Sequence, residues 1–149
     1  DAGVRQLCIL NRTKERAELL AGDLQKKFPQ MTTNVRILAE AAAAAQEFKG
    51  AGEKVLAIQC TNVGLAPKAD EVPVEAPSFY ENVDAVYDCI YNPEETRFLS
   101  MAKAAGKPGR NGMDMLLWQG ILSFSFWTGQ KPDHELTERI RKDLYEFLA

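Results

Sequence analysis

Short apolar runs alternate along this chain with stretches in which apolar residues recur every three or four positions. The runs at 6–10, 34–38, 54–59 and 84–90 are too short for helices and end in polar turns, as strands buried in a parallel sheet do. Between the first two, residues 13–27 predict a helix with Ala17, Leu19, Leu20, Leu24 and Phe28 on its apolar stripe. The alanine run at 41–45 predicts another helix from intrinsic propensity alone. Pro67, Pro73 and Pro77 mark a loop after the third run. Asn92 as N-cap, Pro93 as first helical residue and Glu95 as a capping-box carboxylate predict a helix from 93 to about 105, stopped by Gly106. Residues 107–111 fit a short last strand or loop. A long apolar helix is then expected over 113–127, closed by Thr128 and Gly129, and an amphipathic one over 133–147 with Leu136, Ile140, Leu144 and Phe147 in line. At the start, residues 1–4 read as the end of a helix entering the first strand.

Strands alternating with helices imply parallel pairing through right-handed crossovers, hence an α/β fold with a doubly wound open sheet. A dinucleotide site in such a sheet normally opens with G-x-G-x-x-G, and these residues contain none. In the usual strand order 3-2-1-4-5-6 the strand ahead of that loop is the centre of the sheet. The expectation is a sheet incomplete at its N-terminal strand, split into two half-sheets whose seam is filled by a piece outside these residues.

Composition narrows the class without naming a function. The 149 residues are 46% hydrophobic and 26% charged, ordinary for a globular domain, and give neither disorder nor an apolar run of membrane-spanning length. A net charge of −3 lacks the basic face a nucleic acid would need. No secretory leader is visible, so a cytoplasmic location is expected. Cys8, Cys60 and Cys89 are odd in number and contain no C-x-x-C pair, which argues against a metal or disulfide framework. All three fall in apolar, strand-like segments, where cysteine acts as a small buried hydrophobe. His134, the single histidine, sits at a helix start and reads as a solvated first-turn residue.

Chemistry gathers in five blocks. Asn11-Arg12-Thr13 stands where the second strand of a dinucleotide fold ends, beside the adenosine ribose. A carboxylate there would accept from a ribose 2′-hydroxyl and repel a 2′-phosphate; this chain has the neutral Asn11. Arg12 can present a planar fork to a phosphate, Thr13 a hydroxyl and a helix N-terminal amide, and Arg16 lies one turn along. The others are Gln59-Cys60-Thr61-Asn62-Val63-Gly64-Leu65; Asp88-Cys89-Ile90-Tyr91-Asn92-Pro93; Gly112-Met113-Asp114-Met115-Leu116-Leu117-Trp118-Gln119; and Phe126-Trp127-Thr128-Gly129. A glutamine within so apolar a helix as 113–127 is itself notable, because a buried amide needs partners. Leu116, Leu117, Ile121, Leu122, Phe124 and Phe126 of that helix read simply as core.

In order and spacing these blocks resemble the shikimate dehydrogenase family. The first is similar to its N-R-T-x-x-R turn, the second in part to N-A-T-P-x-G-M, the third to D-x-x-Y-N-P and the fourth to G-x-x-M-L-x-x-Q. In the second block Thr61 and Gly64 agree, while Gln59 and Asn62 replace the family's residues. The resemblance implies a Rossmann-like fold, NADP as cofactor, and residues 1–149 as the C-terminal part of an NADP-binding domain. Helices from about 113 to 149 would pack toward an N-terminal substrate domain lying outside these residues. It further implies cofactor contacts from Asn11, Arg12, Thr13, Arg16, Thr61, Gly64, Asp114 (by its backbone) and Met115, with Tyr91 and Gln119 on shikimate or 3-dehydroshikimate. The acid-base pair, a lysine and an aspartate in the family, would belong to the substrate domain, and no catalytic acid or base is assigned here.

The implied reaction is reversible NADP-dependent hydride transfer between shikimate and 3-dehydroshikimate, in aromatic amino-acid biosynthesis. Two other readings share the same blocks: a quinate/shikimate dehydrogenase paralogue, and an NADP-binding regulatory module without catalysis. A second copy of the chain is a further candidate partner. Neither a membrane nor a nucleic acid is expected.

Overall fold

The computed structural model describes residues 3–148, so residues 1 and 2 of the expected helix end lie outside it. It is a mixed α/β chain that divides into two compact units, Asp1–Val55 with Val74–Val83, and Leu56–Pro73 with Asp84–Ala149. Each unit has its own parallel sheet.

In the first unit β1 (Gln6–Asn11) pairs in parallel with β2 (Thr32–Ile37), Gln6 opposite Thr32 and Asn11 opposite Ile37. The crossover is α1 (Lys14–Lys27), which packs on both strands and buries Ala17. Leu24 and Phe28 are half-buried as the stripe requires. Leu19 and Leu20 are exposed, because they project from flanks of the helix that the two strands do not cover. A 3-10 turn at Leu38–Glu40 leads into α2 (Ala41–Gly50), which buries Ala41, Ala44 and Ala45. Small side chains let α2 approach the short α3 (Pro77–Glu81), a helix inside the stretch expected to be loop. There Phe79 and Tyr80 are buried edge to face with centroids 5.1 Å apart, and Tyr80 Oη donates to the Val74 carbonyl at 2.7 Å. That bond removes the cost of a buried phenol.

In the second unit β3 (Leu56–Gln59), β4 (Ala85–Asp88) and β5 (Gly109–Arg110) run parallel in the order β3-β4-β5. β3 is therefore an outer strand, and its Leu56 and Ile58 are exposed. α4 (Arg97–Ala104) covers β4 and β5 with Phe98, Leu99 and Ala102. Burying Phe98 and Leu99 contributes on the order of 1.5–3 kcal/mol each. α5 (Met113–Thr128) and α6 (His134–Leu148) pack together around an apolar groove lined by residues that include Leu117, Ile121, Leu136, Ile140 and Leu144. Gly129, at φ 71°, ends α5 in the left-handed conformation expected of a glycine cap.

Several expectations are corrected. α4 begins four residues later than the capping-box pattern predicts: its N-cap is Thr96, whose hydroxyl accepts from the Leu99 amide at 3.3 Å, while Glu95 pairs with Lys103 at 2.9 Å. Leu122 and Phe126 are exposed rather than core, since they lie off the side of α5 that carries Leu117 and Ile121 toward α6, and Phe124, although it lines the groove between the two helices, is still 42% exposed. Phe147 is exposed as well. No cysteine is fully buried, and Cys60, one residue beyond the end of β3, is exposed.

Candidate functional site

The expected site residues fall into two groups, one in each unit. In the first unit Asn11 is the last residue of β1 and shapes the turn that follows: its Oδ1 accepts from the Arg12 amide at 3.0 Å and its Nδ2 donates to the Thr13 carbonyl at 3.1 Å. An asparagine bonded in this way replaces a run of backbone bonds and fixes the path into a helix. Thr13 is the N-cap of α1 in extended conformation, and its side chain makes no capping bond. First-turn amides and the Thr13 hydroxyl thus remain available to an outside acceptor. Arg12 and Arg16 are both exposed, and neither has an acidic partner among the described residues. An uncapped helix start beside two guanidinium groups is a chemical fit for a phosphate.

The second group occupies loops at the carboxyl ends of β3 and β4 and the start of α5. Gln59, 4% exposed, ends β3 and organises the next four residues from inside. Its Nε2 donates to the carbonyls of Thr61 at 3.2 Å and Val63 at 3.1 Å, and its Oε1 accepts from the Thr61 amide. Thr61 is exposed, with its hydroxyl accepting from the Val63 amide at 3.2 Å. Gly64 is buried at φ +97°, and a Cβ there would lie 3.3 Å from the Glu71 carbonyl oxygen. The backbone conformation favours glycine, and the close carbonyl leaves little room for a side chain.

Asp88, the last residue of β4, is fully buried. Its Oδ2 accepts from the Thr96 hydroxyl at 2.6 Å and its Oδ1 from the Ile90 amide at 2.9 Å, with Gln59 Nε2 at 3.5 Å. Burial pushes its carboxyl above the usual carboxylate range, and the bonds from Thr96 and Ile90 oppose that rise. One carboxylate thereby ties the loop after β3 to the loop after β4. Tyr91 stands on that second loop, 37% exposed. The loop is also held from the far side: Asn111 Nδ2 donates to the Glu94 carbonyl at 3.0 Å and the Gly112 amide to the Ile90 carbonyl at 3.0 Å. A Cβ on Gly112 would lie 2.1 Å from the Cys89 carbonyl oxygen, so α5 starts in direct backbone contact with the residue that follows β4.

On α5, Asp114 turns its side chain to Arg141 of α6 and, at 3.7 Å, to Arg110, leaving its backbone as the group facing elsewhere. Met115, Trp118, Leu122 and Phe126 form an exposed apolar stripe, and Gln119 is exposed beside it. Gln119 is therefore not the buried amide that the apolar helix suggests. The Gln59–Asp88–Thr96 network was not anticipated as part of the site; its signal was a carboxylate closing an apolar strand, with a threonine eight residues on. Among the described residues no group of three His, Cys, Asp or Glu side chains could hold a metal ion.

Parallel sheets crossed by helices, with polar loops gathered at the carboxyl ends of the strands, define a Rossmann-like α/β protein. Residues 112–142 match the family model described as the shikimate 5'-dehydrogenase C-terminal domain. The shikimate dehydrogenase (NADP(+)) of Bacillus cytotoxicus is 38% identical over 132 residues, covering 89% of this chain and 44% of that protein. Among solved structures, the shikimate 5-dehydrogenase of Listeria monocytogenes in complex with shikimate and NAD superposes with a TM-score of 0.77 at 25% identity, over 93% of this chain and 47% of that one. Quinate dehydrogenase from Corynebacterium glutamicum in complex with NAD shares the fold, with a TM-score of 0.79 at 22% identity over 98% of this chain and 48% of that one. The chain belongs to the shikimate dehydrogenase family and corresponds to its C-terminal portion. It spans less than half the length of the curated relatives it matches.

Proposed function

We propose that this chain is the cofactor-binding portion of an NADP-dependent shikimate dehydrogenase, reversibly transferring hydride between the cofactor and the shikimate/3-dehydroshikimate pair. The observation carrying the reading is the β1–α1 turn, where a neutral asparagine, two exposed guanidinium groups and an uncapped helix start replace the carboxylate that selects NAD. Arg12 and Arg16 hold the 2′-phosphate, and Thr13 adds its hydroxyl and an amide. Thr61 and Gly64 line the cofactor through backbone groups, the role the positive φ at Gly64 suits. The Asp114 backbone and the Met115 side chain lie against the nicotinamide. The bound cofactor supplies or accepts the hydride.

Tyr91 and Gln119 orient the substrate by hydrogen bonds, and their exposure suits residues that meet a ligand. The proton moves through a lysine and an aspartate of an N-terminal substrate domain. Beyond Met115, the exposed apolar residues Trp118, Leu122 and Phe126 belong against that domain, since a contiguous apolar face of this kind marks an interaction surface. Among the described residues no helix is long and apolar enough to cross a membrane, and the proposal places the enzyme in the cytoplasm.

Arg12→Ala in the intact enzyme tests the reading by titration with each cofactor. NADP affinity falls by about 1.5–3 kcal/mol for a lost charge-assisted contact, while NAD affinity hardly changes. Equal losses for the two cofactors would remove the assignment. A parallel assay with quinate separates the paralogue: faster turnover of quinate than of shikimate would shift the substrate without shifting the site.

A further inference from the structure

Cys60 and Cys89 each stand one residue beyond the registered pair Gln59 and Asp88 on neighbouring parallel strands, and the Cys89 amide donates to the Gln59 carbonyl at 2.9 Å. Their sulfur atoms are 3.7 Å apart and both thiols are free. Neighbouring strands are spaced about 4.7–4.9 Å, inside the range of about 4.4–6.8 Å between Cα atoms that a disulfide spans. Closing to an S–S bond of about 2.05 Å therefore needs side-chain rotation rather than strand separation.

We propose that Cys60 and Cys89 are a redox pair that a hydroperoxide converts to an intrachain disulfide and a dithiol reductant restores. The two thiols differ in a way that orders the steps. Cys60 is exposed and meets the oxidant, while Cys89 is partly buried and donates its S–H toward the Cys60 sulfur. Burial, followed by that bond, pushes the Cys89 thiol up to about 11, so Cys89 stays protonated as the resolving partner.

In the first step the Cys60 thiolate attacks one peroxide oxygen and the O–O bond breaks. Cys60 becomes a sulfenic acid, oxidised by two electrons, and the peroxide leaves as hydroxide or alkoxide and takes a proton. In the second the Cys89 sulfur attacks the Cys60 sulfur and expels hydroxide, which leaves as water with the proton from Cys89. Because Gly112 is in contact with the Cys89 backbone, the adjustment falls on Cys60 and the loop through Thr61 to Gly64. This loop is the one assigned above to the cofactor, so oxidation is coupled to cofactor binding; that coupling, unlike the disulfide, rests on the proposed function.

The intact protein is treated with a small excess of hydrogen peroxide, alkylated and weighed. The expected result is two fewer alkylated thiols than in the reduced protein, a peptide linking Cys60 to Cys89, and recovery of both thiols when dithiothreitol is added before alkylation. Cys60→Ser and Cys89→Ser each abolish the link. Added oxygen on Cys60 without a link, a bond between chains on a non-reducing gel, or a link that survives Cys89→Ser would overturn the pairing. These readouts need neither cofactor nor activity, so they fail or succeed apart from the enzyme assignment. Oxidised protein is further expected to bind NADP several-fold more weakly, with Cys60→Ser protein unaffected by the same treatment. Unchanged affinity in fully linked protein would overturn the coupling.

Discussion

The β1–α1 turn and the loops after β3 and β4 face the same chemical task, presenting polar groups at the end of a strand, and solve it differently. The turn is held by one half-buried asparagine bonding residues next to it in sequence, and its arginines are exposed without an acidic partner among the described residues. The loops of the second unit are fixed by Gln59, Asp88 and Thr96, buried side chains that join segments nearly thirty residues apart. A local turn can exchange its charged residues without disturbing the core. A loop tied through a buried carboxylate cannot, because each partner removed leaves another unsatisfied.

Gly112→Ala gives the largest stability loss, upwards of about 3 kcal/mol, since a methyl group 2.1 Å from a backbone oxygen forces the start of α5 off the residue that follows β4. Urea unfolding of the intact protein measures it; a loss below about 1 kcal/mol would mean that α5 is not seated as described. Next comes Thr96→Val, which keeps the shape but removes both the donor to Asp88 and the cap on α4, at about 2–3 kcal/mol.

Asp88 adds a pH test of the buried side. Its folded pKa is raised above the ordinary 3.8, so in the window upward from that value the folded state binds the proton more readily than the unfolded chain. Its contribution to stability is greatest at low pH and is lost as pH rises through the folded pKa. The stability difference between the natural protein and Asp88→Asn should therefore shrink between acid and neutral pH in urea titrations. A difference that grows over that range would mean that Asp88 is held ionised instead. The smallest effect belongs to the exposed turn: Arg12→Ala should change stability by less than about 0.5 kcal/mol, whatever it does to NADP.

The contrast also explains what could be read from the sequence. Local signals carried the strands, the helix start at Lys14 and the glycine stop after Thr128, because each depends on residues within a few positions. The Asn11-Arg12-Thr13 turn was legible for the same reason. The start of α4 was not: Asn92, Pro93 and Glu95 make a good local cap, yet Thr96 also satisfies the buried Asp88, a gain invisible along the chain. Apolarity placed Leu122 and Phe126 in the core, but periodicity reports which residues share a face and not whether anything covers it. The exposure of Gln119 is missed likewise, because an apolar helix is not buried all round.

One consequence follows from β3 being the outer strand of its sheet with Leu56 and Ile58 uncovered. Such an edge is a template for any extended peptide, including the same strand of another molecule. Concentrated solutions of these residues alone should thus grow cross-β aggregates, and a lysine in place of Ile58 should act as a gatekeeper against them.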